Sequence, residues 1–152
     1  MQIEELLFAN GQTLIRDIQF NLSATGTNAT QETSNSLQIA VTREGTKVKL
    51  TLTGRPYFMT VQTGRRPTPG VKPSRDMIQN ITRWVEARGM DMDAAWAIAT
   101  KIQQEGTKLW QSGGRTDIVD PAVTDFINNT GATILENEAE RFMIKINELQ
   151  WQ

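Results

Sequence analysis

Leu37, Ile39 and Val41 alternate with polar residues, Glu44-Gly45 interrupts them, and Val48, Leu50 and Leu52 resume the alternation. Residues two apart share one face of a strand, so this stretch predicts a β-hairpin with one face in a core. Helical periodicities flank it on both sides. A third strand is read at Tyr57, Met59 and Val61, entered through Gly54-Arg55-Pro56. Pro56 cannot donate a ladder hydrogen bond and suits a strand start or an edge. Such an edge needs cover, which a neighbouring subunit can supply. The expected sheet is therefore small and antiparallel.

Before the hairpin, Ile3, Leu6, Leu7, Leu14, Ile15, Ile18 and Leu22 recur mostly at three- and four-residue spacings, the stripe of an amphipathic helix, with a local bend allowed at Gly11. Ser23 to Ser36 is nearly all Ser, Thr, Asn, Ala, Gly and Gln. It reads as a solvated loop, because these side chains bury little and compete for backbone hydrogen bonds. After the hairpin, Ser74 stands as an N-cap before Met77, Ile78, Ile81, Trp84 and Val85, and Gly89 is a stop. Asp91 or Asp93 then caps an Ala-rich helix that closes at Gly106; so many alanines predict a closely approached partner. Leu109 to Thr116 reads as a loop, and Asp120-Pro121 as the start of a long final helix that Asn128 to Gly131 can kink or split. The expected fold is α+β: a hairpin plus a third strand, packed with an N-terminal helix, a central helical pair and a long C-terminal helix. At 152 residues, residues 1–152 are expected to form one domain.

Composition narrows the chemistry. Cys and His are both absent, which removes disulfides, thiolate sites, the usual general base and the commonest metal ligand. Asp91 with Asp93 and Glu136 with Glu140 supply carboxylates, but the first pair flanks a helix start and the second is an ordinary i, i+4 pair. No phosphate-binding glycine loop or spaced ligand cluster occurs, so no enzyme, cofactor or metal is expected. No apolar run approaches a membrane span, and Met1 to Asn10 does not read as a signal peptide, so synthesis in the cytoplasm without membrane partners is expected. Sixteen Lys plus Arg against 17 Asp plus Glu give a formal charge of −1, so any electrostatic function must be local.

The local charge lies between Gly64 and Arg75, where three prolines and two glycines accompany Arg65, Arg66, Lys72 and Arg75 without an acid. Prolines lower the entropy lost when a partner orders a loop, so an acidic protein surface or a phosphate backbone can dock there. Trp84 and Trp96 are expected in the core, whereas Trp110 and Trp151 are candidates for contact surfaces.

The order of motifs in this region resembles that of the neck proteins of tailed bacteriophages, often described as tail-completion or head-tail joining proteins. The residues concerned are Tyr57-Phe58-Met59-Thr60-Val61-Gln62-Thr63-Gly64-Arg65-Arg66-Pro67, a Pro-containing loop to Pro73, Ile81-Thr82-Arg83-Trp84-Val85 with Gly89, Ala97-Ile98-Ala99-Thr100-Lys101-Ile102, and Gly106-Thr107. They span about one third of the chain. Thr68 separates Pro67 from Pro69-Gly70, and Lys108-Leu109-Trp110 with the Gly-Gly loop has no counterpart in the pattern. The resemblance implies a small α+β subunit, repeated in a homo-oligomeric ring of the virion neck beside portal, tail or other neck proteins. Such a ring joins head to tail around the DNA channel, with Arg65, Arg66, Lys72, Arg75 and Trp110 as candidate contacts to partners or, non-specifically, to channel DNA. The alternative is a stand-alone nucleic-acid-binding module that uses the same basic loop.

Overall fold

The computed structural model describes residues 2–27, 31–56 and 58–149. Helix α1 (Ile3–Ala24) buries Leu6, Gly11, Leu14, Ile15, Ile18 and Leu22 on one face. The hairpin follows as predicted: β1 (Gln38–Glu44) pairs antiparallel with β2 (Lys47–Thr53), with Ile39 opposite Leu52 and Val41 opposite Leu50. Gly45, at φ +62°, takes the first position of the two-residue turn, where positive φ suits the strand twist. Helix α1 runs through Gly11 without a break. A Cβ built there would stand 2.7 Å from the methyl ends of both Ile39 and Leu50, so the hairpin lies directly on α1 at this glycine and a side chain here would have to displace those methyls. Glu4 and Arg43 tie the start of α1 to β1. The Arg43 guanidinium holds the Glu4 carboxyl down to about 2.

The third strand does not form among the described residues. Phe58 N–H donates to Arg55 O, Val61 N–H to Phe58 O and Gln62 N–H to Met59 O, and the chain coils into the single turn α3 (Thr60–Thr63). The reason lies in the spacing. Phe58 is buried, Val61 three residues on is partly buried and Met59 is exposed, so the segment presents its apolar side by helical rather than alternate spacing. Tyr57 lies outside the described residues. The core joins Leu14, Ile15, Ile18 and Leu22 of α1 to Leu37, Phe58, Ile118 and Ala122, flanked by Ile39, Leu52, Val123 and Phe126.

The described parts of the polar segment, residues 23–27 and 31–36, are also more structured than a solvated loop. Thr25 and Thr27 hydroxyls bond the carbonyls of Asn21 and Leu22, finishing α1, and Glu32–Asn35 forms a turn, α2. Ser34 is buried and its carbonyl accepts from Gln19 Nε2. The polar side chains thus terminate and dock the backbone locally.

The central helical pair consists of α4 (Arg75–Ala87) and α5 (Ala94–Glu105). Ser74 caps α4 through Met77 N–H, and Gly89 closes it, with Met90 N–H bonded to Val85 O and Gly89 N–H to Glu86 O. Ala95 and Ala99 are buried where α5 meets α4, as the alanine content required. The stretch expected as a loop from Leu109 contains the turn α6 (Lys108–Gln111).

Helix α7 (Val119–Leu149) is continuous through Gly131, so the chain is not split there. It begins one residue before Asp120, which places Pro121 inside the first turn, where an N–H has no helical partner to lose. Its 31 residues extend about 46 Å. Its first half packs on α1, whereas Leu135 is 72% exposed and, beyond it, Asn137 is the one partly covered residue among the described side chains. Among the described residues no helix is long and apolar enough to cross a membrane.

Candidate functional site

Helices α3 and α5 end alike. Gly64 has φ 72° and ψ 175°, Gly106 has φ 77° and ψ 177°, and each donates its N–H to the carbonyl four residues back. This region of backbone space belongs essentially to glycine. Both glycines turn the chain outward so that the segments following them meet. Thr107 N–H donates to Arg65 O at 3.0 Å, and Arg65 N–H donates to the Thr107 hydroxyl at 3.0 Å. The same hydroxyl caps α6 by accepting from Trp110 N–H at 3.2 Å.

The approach is close on every side. A Cβ on Gly64 would lie 2.4 Å from Trp110 N, and one on Gly106 would lie 2.9 Å from both Arg65 O and Pro67 Cδ. Thr68 N–H then bonds Gln103 O at 2.8 Å, which seats the first part of the basic loop along the end of α5. Two buried glutamines complete the junction. The side chain of Gln103 accepts from Arg65 Nη2 at 3.2 Å. That of Gln62 accepts from Val119 N–H at 2.6 Å and donates to Asp120 Oδ1 at 3.2 Å, while its carbonyl accepts from Arg115 N–H. Gln62 thereby caps α7, whose start the sequence places at Asp120-Pro121. Arg115 grips Asp117 through two bonds of 2.6 and 2.7 Å, which depresses the Asp117 pKa and fixes the approach to that helix.

The five predicted contact residues separate accordingly. Arg65 is half-buried and bonded within the junction. Trp110 is 43% exposed, and its ring edge lies against Gly106. Arg66, Lys72 and Arg75 are exposed. Trp151 lies outside the described residues.

A cleft of about 690 Å³ opens beside the junction, between α4–α5 and the segments carrying Glu32 and Arg55. Its floor includes Met77, Ile81, Trp84, Ile98 and Ile102, and its cations are Arg55, Arg65 and Arg83. Glu32 spans the opening by accepting from both Arg55 and Arg83. Arg88 bonds Gly26 O at 2.7 Å while its guanidinium sits 4.9 Å from the centre of the Trp84 ring. Trp84 is half-buried here. Trp96, expected in the core, is 63% exposed. It shares its helical azimuth with buried Gln103 seven residues on, but the 64–68 segment covers that face at the Gln103 end.

Sequence reasoning missed Arg55, Arg83, Glu32 and both glutamines. The signal for Arg83 was its place in the Ile-Thr-Arg-Trp motif; an isolated Glu in a polar segment and two glutamines in helices carry no comparable mark. Among the described residues no three acids converge on a metal-sized site. Comparison with protein-family models, curated proteins and solved structures finds no match for this chain.

Proposed function

We propose that this chain is a structural virion protein of a tailed bacteriophage, one subunit of a neck ring that joins the portal side of the head to the tail around the DNA channel. The observation that carries the reading is the mutual seating of Gly64-Arg65 and Gly106-Thr107. These are separate parts of the motif order that resembles neck proteins, and here they are one physical unit held by reciprocal bonds. A motif order whose members depend on one another is stronger support for a shared fold than the same motifs dispersed.

The ring would be made in the host cytoplasm and end in the virion. It needs two different complementary patches on each subunit, repeated until rotation closes. Arg66, Lys72 and Arg75 are all exposed and supply the cations for one such contact, with a sister subunit, a neighbouring neck, portal or tail protein, or channel DNA. Arg75 is the first residue of α4, the end at which the helix dipole disfavours a cation, so the helix itself does not call for that charge.

A stand-alone nucleic-acid-binding module has less support. Arg65 is engaged on Gln103, and a chain of net charge −1 lacks the broad basic face of a free DNA binder. Three remaining phosphate contacts would give a log-log salt slope of about −2.7. Electron microscopy of particles assembled with and without the protein tests the main reading. Separate heads and tails are expected in its absence; normal tailed virions would end the proposal.

A further inference from the structure

The cleft beside Trp84 has an apolar floor and a cationic rim, and the distal part of α7 has the opposite character. Leu135, Ala139 and Met143 recur every fourth residue along α7 and are all exposed. Glu136 and Glu140 form the adjacent row, also exposed. This is a helix face with an apolar stripe beside an acidic one, and its own subunit does not cover it. Helix-in-groove recognition uses such a face, with apolar anchors on the groove floor and charges on the rim.

The cleft fits that ligand in shape and charge. Met77, Ile81 and Trp84 of α4 and Ile98 and Ile102 of α5 offer a hydrophobic trough. Arg55, Arg65 and Arg83 face a single acid there, Glu32. Arg55 and Arg83 each bond Glu32 through one nitrogen, and a guanidinium has five N–H donors, so both keep donors for a second carboxylate. Ala139, small and central in the stripe, allows a close approach.

We infer that the cleft receives the Leu135–Ile144 part of α7 from a second copy of this chain, with Leu135, Ala139 and Met143 on the floor and Glu136 and Glu140 at the arginine rim. The donor is a second copy because α7 is one continuous helix whose start is pinned by Gln62 and packed on α1, so it does not return to its own cleft. Donor and acceptor patches differ, which makes the contact heterologous and able to propagate around a ring. The inference rests on the ring reading for its biological setting and supplies that ring with a specific subunit contact.

The absence of cysteine makes the test direct. Full-length Ala139→Cys and Asn80→Cys chains are mixed and mildly oxidised; Asn80 is exposed and lines the cleft. The expected result is a mixed disulfide dimer at least about tenfold above that of a control pair, Ala139→Cys with Lys47→Cys at the hairpin turn. Adding Glu136→Arg and Glu140→Arg to the Ala139→Cys chain should lower the yield about tenfold, because like charges then meet at the rim. A yield equal to the control, no dimer, or a yield indifferent to the charge reversal overturns the inference. Failure here with unjoined heads and tails in the particle experiment would move the ring contact elsewhere and leave the neck reading standing.

Discussion

The body formed by α1, the hairpin and the start of α7 and the junction around Thr107 are held together by different means. In the body, Ile18, Leu22 and Ile118 are fully buried and touch neighbours through aliphatic side chains. At the junction, backbone meets backbone: Gly64 lies against Trp110 N, Gly106 against Arg65 O, and a single hydroxyl serves two N–H donors. An apolar core tolerates a change of side chain by partial collapse, with a cost set by the cavity left behind. A backbone contact at a glycine-only conformation has no such slack. The region that carries the motif resemblance is thus the less forgiving one, and its glycines answer to geometry rather than to a ligand.

The sharpest way to break this contrast is Gly64→Ala. Its Cβ would meet backbone at 2.4 Å on a residue with φ +72°, so destabilisation of about 4 kcal/mol is expected in urea unfolding. Hydrogen exchange should accelerate first in α4 and α5. Ile18→Ala in the body should cost about 3 kcal/mol and expose amides of α1 and the hairpin instead. If the two variants loosen the same amides, the division into body and junction is wrong.

Thr107→Val keeps the shape of the side chain but removes the shared acceptor from Arg65 and Trp110. A loss of about 2 kcal/mol is expected, read as a lower urea midpoint at unchanged slope. Trp96→Ala, by contrast, should change stability by less than about 0.5 kcal/mol, since the indole is 63% exposed. A core-sized loss there would show that the 64–68 segment reaches further along α5 than its bonds to Gln103 indicate.

What could be read in the sequence follows the same division. The α1 stripe, the hairpin, the Ser74 cap and the alanine contact of α5 were legible because each is a local or periodic signal. The turn at Phe58 was not, since Tyr57, Met59 and Val61 also satisfy a strand pattern and only the burial of Phe58 decides between them. Continuity of α7 through Asn128 to Gly131 likewise comes from its packing on α1, which overrides weak helix formers. Of the predicted contact residues, Arg65 and Trp110 were drawn into the junction by partners distant in sequence, Gln103 and Gly64 respectively, that no spacing rule connects to them. Arg66, Lys72 and Arg75 keep the exposure expected of a contact patch.

These three cations also give the most direct test of the central claim, that the chain joins head to tail through a surface beside the junction rather than through the junction itself. Arg66→Ala, Lys72→Ala and Arg75→Ala combined should leave the urea midpoint within about 0.5 kcal/mol of the parent chain, as exposed side chains do. Electron microscopy of particles assembled with this variant is the deciding measurement. Heads and tails left separate, with the variant folded and soluble, is the predicted result; fully tailed virions in parental numbers would contradict it.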